Sequence, residues 1–222
     1  MKRCRSRAVI VAAGLVLLTA AAPSRATPTD VTVPATVNPR EAPHELMAAL
    51  STRLLALLDR DRSRIQRQPE LILPLVDELL SPHFDAEYTA RLVLGTYWRD
   101  ATPEQRQRFA SALYRTLLWT YAGAVAEWTP DRLRILPQRG DPDALQVVVR
   151  TEVARPGASI VPVDYRLHRT TDGWKVFDVV VDGVSYVRTY HDDIEGEVGR
   201  KGLDAAIERL EKRRTGAAVP AP

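Results

Sequence analysis

Residues 173–185 read Gly173-Trp174-Lys175-Val176-Phe177-Asp178-Val179-Val180-Val181-Asp182-Gly183-Val184-Ser185, and this stretch decides the fold class. A run rich in β-branched and aromatic side chains follows the turn dipeptide Asp172-Gly173 and ends at Asp182-Gly183, the pattern of a strand between tight turns. Alternation puts Trp174, Val176, Asp178 and Val180 on one side, with Phe177, Val179 and Val181 on the other. Apolar side chains on both faces predict a strand covered from both sides, by helices or, over part of one face, by a cavity. Asp182-Gly183-Val184-Ser185 reads as a turn or bulge that redirects the chain, with Gly183 supplying the unusual backbone angle.

Upstream, the same period of two predicts strands over 132–136, 145–153 and 160–169, punctuated by Gly140-Asp141-Pro142 and Arg155-Pro156-Gly157. Links this short favour antiparallel pairing, which gives a curved meander of about four strands. Before Trp128 the apolar period is close to four. Leu46, Leu50, Leu54 and Leu57/Leu58 mark a helix over 43–64. Leu71, Leu75 and Leu79 mark a second from about Pro69, where Pro74 should kink or restart it. A third runs from the N-cap Asp85 to the stop at Gly95.

The clearest boundary of all is Thr102-Pro103-Glu104-Gln105, with an N-cap, a proline at the first helical position and a capping-box residue. That helix should reach about Glu127, with Phe109, Leu113, Leu117, Tyr121 and Ala124 buried. From Asp192 the chain returns to helix, with Leu203, Ile207 and Leu210 on one face. Helices, then a sheet, then a helix make an α+β domain.

Lys2, Arg3, Arg5 and Arg7 precede an apolar run over 8–22, and Ser24-Arg25-Ala26 suits cleavage, so residues 1–26 read as an export signal. The run is short for a membrane-spanning helix. Cys4 lies ahead of it and so cannot anchor a lipoprotein. Without the signal the basic total falls from 31 to 26 against 28 acidic residues, turning a net charge of +3 into −2. Nucleic-acid binding thereby loses its compositional support. The mature chain has no cysteine, which excludes disulfides and thiol chemistry. Residues 27–42 and 215–222 are expected to be flexible segments around a domain spanning 43–214.

Reactive constellations are sparse. Asp178 and Asp164 lie in successive strands, and paired carboxylates in a cone-shaped, NTF2-like scaffold suit proton abstraction. The competing assignment makes Asp178 a buried acceptor for backbone amides or for an arginine such as Arg91. His44, His83, His168 and His191 lie on four different elements with no metal-binding spacing, so neither a metal nor another cofactor is expected. Ser185 lacks the surroundings of a nucleophile elbow.

Leu75-Val76-Asp77-Glu78-Leu79-Leu80, Pro82-His83-Phe84-Asp85, Leu92-Val93-Leu94-Gly95, Ala101-Thr102-Pro103, Gln105-Arg106, Thr120-Tyr121-Ala122-Gly123, Gly173-Trp174, Phe177-Asp178 and Gly183-Val184-Ser185 follow one another in a set order. Over about 67–212 this series resembles the MlaC (toluene-tolerance) family of periplasmic phospholipid-binding proteins. The resemblance implies a sheet and helices enclosing an elongated apolar pocket for acyl chains. It also implies a soluble periplasmic carrier rather than an enzyme, shuttling phospholipid between an outer-membrane lipoprotein complex and an inner-membrane ABC transporter with its hexameric substrate-binding subunit. A hopanoid or another lipid is the alternative cargo. Helix faces and strand parity nominate Leu75, Leu92, Leu117, Tyr121, Val149, Val163, Tyr165 and Val179 as pocket lining. Val184 joins them through its place in the Gly-Val-Ser element.

Overall fold

Asp182 and Gly183 both adopt positive φ, 50° and 81°, the geometry of a two-residue hairpin turn whose twist matches its flanking strands. The chain is therefore not merely redirected there. It doubles back, and Val184 and Ser185 pair with Val181 and Val180. The computed structural model describes residues 37–126, 133–138, 141, 144–154 and 160–212, without the side chains of 69 and 121–126. The expected export signal, most of the segment 27–42, the 155–157 turn and the tail 215–222 lie outside the described residues.

Five strands form one antiparallel sheet in sequence order: β1 (Leu133–Ile135), β2 (Gln146–Ala154), β3 (Ile160–Thr170), β4 (Gly173–Val181) and β5 (Val184–Ser185). The hairpin at Asp182-Gly183 accounts for the strand beyond the four expected. One prediction about β4 fails. Arg166 pairs with Asp178 but the next residue, Leu167, pairs with Val176. Phe177 is thus an extra residue on β4, a bulge that resets the alternation. Trp174 and Val176 consequently share a face with Val179 and Val181, while Asp178 and Val180 occupy the other.

The helices are α1 (Pro43–Arg67), α2 (Ile72–Leu80), α3 (Ala86–Leu94), α4 (Tyr97–Asp100), α5 (Pro103–Ala126), α6 (Tyr186–Lys201) and α7 (Leu203–Lys212), with 3-10 turns at Pro69–Leu71 and Ser81–His83. Local chemistry sets their ends. Thr102 and Gln105 cap each other reciprocally, the Gln105 N–H donating to Thr102 Oγ1 at 3.2 Å and the Thr102 N–H to Gln105 Oε1 at 3.0 Å. Asp85 Oδ1 accepts from the Tyr88 N–H at 2.9 Å, and Gly95 ends α3 at φ 55°. Pro74 falls within the first turn of α2, where its missing N–H costs no hydrogen bond, so the restart precedes it in the 3-10 turn.

The last helical region begins at Tyr186, well before the expected Asp192. Ser185 Oγ accepts from the Arg188 N–H and Asp178 Oδ1 from the Val187 N–H, which starts α6 directly off β5.

Two buried clusters result. Phe109, Leu113, Ile194, Ile207 and Leu210 join α5, α6 and α7 with α3. Leu46, Leu50, Leu54 and Val76 of α1 and α2 pack with Val149, Leu167, Trp174 and Val176 on one sheet face. Val179 touches both clusters.

The backbone before α1 is tied to the sheet, the Trp174 N–H donating to the Pro39 carbonyl at 2.7 Å. Gly173, at φ 124°, passes so close that a Cβ there would lie 2.3 Å from that oxygen. Gly173→Ala should therefore cost about 2 kcal/mol through combined backbone strain and collision. Urea denaturation of the two proteins measures it, and an unchanged midpoint would show that the Pro39 contact yields freely.

His83 is buried, and burial first, then the nearby Lys175, holds its imidazole below the ordinary 6.5. A depressed value means the folded state prefers the neutral ring. Its contribution to stability is complete above 6.5 and is lost as pH falls through that value toward the folded one. His83→Gln should flatten the acid-side decline of the melting temperature below about pH 6.5. A decline of identical slope in both proteins would assign it to other groups.

Candidate functional site

The sheet face turned toward α1 and α2 is built from cross-strand rows. Ile135, Thr151, Val163, Val181 and Val184 form one row, Val149, Tyr165 and Val179 the next, and Val147, Leu167 and Val176 a third. Cross-strand partners share a face, so β-branched residues on five strands converge into one apolar surface. Thr151 does not break it, because its hydroxyl donates to the Val163 carbonyl at 2.7 Å. Val149 and Leu167 are fully buried, whereas Val163, Tyr165 and Val179 keep accessible surface beside them.

Tyr165 adds a phenol to this face. Burial, then the neighbouring Tyr186 phenol, pushes its hydroxyl up to about 12, so it stays protonated in neutral solution. The surface thus offers hydrocarbon and a neutral hydroxyl donor.

Of the nominated lining residues, Val149, Val163, Tyr165, Val179 and Val184 come together on this face. Val184 lies at its edge, 39% exposed. Leu117, on α5, packs against the α3–α5–α6–α7 cluster. Leu75 and Leu92 are partly buried on α2 and α3, beside the fully buried Val76 and Val93. The Tyr121 side chain lies outside the described residues. Sequence reasoning missed Val147, Leu167, Trp174 and Val176 as members of this surface. The signal was there in β2 and β3, whose parity gives Val147 and Leu167, but Trp174 and Val176 were hidden by the bulge.

The opposite face carries the polar groups. Asp178, 2% exposed, accepts from the Ser185 hydroxyl at 2.7 Å, the Val187 N–H at 3.0 Å and Arg166 Nη1 at 3.1 Å. These donors are of the expected kinds, an arginine and a backbone amide, but the arginine is Arg166. Arg91 instead lies over the Tyr88 ring. Asp164 faces Arg150 and Val180, one row from Asp178. His168 Nε2 lies 2.9 Å from Asp85 Oδ2, with its ring stacked on Tyr88 and edge-on to Phe177. Asp85 caps α3 with its other oxygen, so this histidine–aspartate pair fastens α3 to the sheet. No helix among the described residues is long and apolar enough to cross a membrane.

The family model described as "MlaC protein" matches residues 48–212 of this chain. The chain belongs to the MlaC family. The match begins before the 67 expected from motifs and takes in most of α1, whose Leu50, Leu54 and Leu58 pack toward the apolar sheet face.

Among MlaC relatives, the toluene tolerance protein ttg2D of Pseudomonas putida is 28% identical over 165 residues, 74% of this chain and 76% of that protein. The intermembrane phospholipid transport system binding protein MlaC of Haemophilus influenzae is 25% identical over 174 residues, covering 77% and 81%. A solved structure of a phospholipid-binding protein from Ralstonia solanacearum, in complex with a phospholipid, superposes with a TM-score of 0.68 at 28% identity. It covers 76% of this chain and 94% of that one.

Proposed function

We propose that this protein is a soluble periplasmic phospholipid carrier that holds its cargo by the acyl chains against the sheet face of Val149, Val163, Tyr165 and Val179. The observation that supports it most is the likeness to the phospholipid-bound Ralstonia protein over nearly all of that chain. The apolar rows lie where α1 and α2 cover the sheet, and Leu75, Leu92, Leu117 and Val184 complete the proposed lining among the described side chains.

The energetics call for a container. A diacyl lipid carries on the order of 30 methylenes, each worth ~0.8 kcal/mol on leaving water, so even a heavily discounted sum forbids useful free diffusion. A carrier must match that burial and then release its cargo by contact with a partner. Shuttling between an outer-membrane lipoprotein complex and an inner-membrane ABC transporter with a hexameric binding subunit meets this requirement. Such work needs shape and hydrocarbon surface, with no catalytic group.

Native mass spectrometry of the mature protein, followed by lipid extraction, tests the proposal. Co-purifying phospholipid at a defined stoichiometry is expected. Gentle isolation that yields only lipid-free protein would overturn it, and a bound hopanoid would change the cargo.

A further inference from the structure

We propose that α1 and α2 form a flap hinged on the first residues of β4, and that phospholipid enters and leaves through the seam between α2 and α5. Both ends of the flap are fastened at one place. The Trp174 N–H donates to the Pro39 carbonyl at 2.7 Å just before α1, and the Asp85 N–H donates to the Val176 carbonyl at 2.8 Å just after α2. Two residues of β4 therefore hold the way in and the way out. Phe84 adds to this pivot, with its ring 5.3 Å from that of Tyr114 on α5.

Between the fastenings, the buried contacts with the sheet come from side chains such as Leu46, Leu50, Leu54 and Val76. The buried Asp61 of α1 is answered within its own helix, by Arg60 at 2.7 Å and Arg64 at 2.9 Å, so its charge is met without the sheet. The helices on the opposite face are held differently. Thr89 donates to the Phe177 carbonyl, His168 pairs with Asp85, and the Val187 N–H donates to Asp178. Those bonds are directional and costly to strand. Apolar contact has no direction, and an acyl chain replaces it with more of the same.

The far end of the flap is where it parts from α5. From Arg62 to Glu70 the described side chains are exposed except for half-buried Ile65. Beside them runs a furrow of about 510 Å³, with Leu73 and Pro74 of α2 on one wall and Leu118 and Trp119 of α5 on the other. Leu73 and Leu118 belong to the same cluster as Val149 and Tyr165, so the furrow leads onto the cargo face. Farther along α2, Asp77 lies beside the Tyr114 phenol, and the two helices meet again toward the pivot. A gap at the free end with packed contact at the fixed end is the geometry of a hinge.

The inference rests on the carrier reading for what passes through the seam, and not for the motion itself. Glu70→Cys and Arg115→Cys together place thiols at exposed positions on the two walls of the furrow. A bismaleimide with an internal disulfide then locks the seam. Transfer of fluorescent phosphatidylethanolamine from vesicles to the locked mature protein should slow by roughly tenfold or more, and recover when dithiothreitol cuts the bridge. Protein with either cysteine alone, treated identically, should take up lipid at the wild-type rate. Unchanged transfer into the locked protein would overturn the flap.

Hydrogen exchange reads the motion without cargo. The amides of α1 and α2 should exchange as one group, about tenfold faster than those of α5 and α6, and the bridge should slow them. Equal protection across the four helices likewise overturns the flap. Wild-type protein that takes up no phospholipid yet shows this exchange pattern would remove the carrier reading and leave the hinged motion standing.

Discussion

Asp178→Ala should destabilise the protein by about 3 kcal/mol, the effect of stranding donors around a deleted buried carboxylate. Its three contacts join elements far apart in role: Arg166 on β3, the Ser185 hydroxyl on β5 and the Val187 N–H in the first turn of α6. Arg166 is half-exposed and regains water when the carboxylate goes, so most of the loss comes from the other two. Ser185 has a second task, capping α6 through the Arg188 N–H at 3.2 Å. Removing Asp178 therefore loosens the hairpin and the helix start together.

Asp178→Asn separates structure from chemistry. Its amide oxygen still accepts from Val187, but its NH2 group cannot accept from Ser185 and faces Arg166, so an intermediate loss is expected. Guanidinium denaturation of both variants measures the effects. Were Asp178→Asn as stable as wild type, the carboxylate would be free for other work, and proton abstraction with Asp164 would regain its footing.

How much of this was legible in the sequence depends on how local each signal is. The Thr102-Pro103-Glu104-Gln105 start, the Asp85 cap and the Gly95 stop were read correctly because each is fixed by residues within one turn of helix. The alternation of β2 and β3 was equally readable. What escaped was anything set by pairing across strands. The bulge at Phe177 depends on a register that β4 alone does not display, and one inserted residue turned Trp174 and Val176 to the other side.

The early start of α6 escaped for a related reason. Tyr186-Val187-Arg188-Thr189-Tyr190 is weak in helix propensity, and its first turn is held by Asp178, a residue from the preceding strand. That the sheet members of the proposed lining share one face was legible because a strand has only two faces. Leu75 and Leu92 sit beside the buried faces of their helices, where an error of one residue rotates the choice by about 100°.

Val179→Glu should empty the carrier. Val179 shares its row with Val149 and Tyr165 and touches both buried clusters. A carboxylate there must either face the acyl chains unpaired or be protonated, and either state costs several kcal/mol against hydrocarbon. Phospholipid extracted per mole of purified protein should fall to less than about a tenth, since each 1.4 kcal/mol is tenfold in affinity.

The matched control is Val148→Glu, which carries the same substitution one register position away on β2. Val148 pairs with Arg166 in the row that contains Asp178, on the opposite face, and is 42% exposed. A glutamate there meets water and a nearby guanidinium, so lipid content should stay at the wild-type level. The two variants differ in which side of the sheet receives the charge, and circular dichroism melts show whether each remains folded. Equal lipid loss in both would mean that general destabilisation empties the protein. Full lipid in a folded Val179→Glu protein would move the acyl chains off this face altogether, because no glycerophospholipid tail tolerates a carboxylate in the middle of its wall.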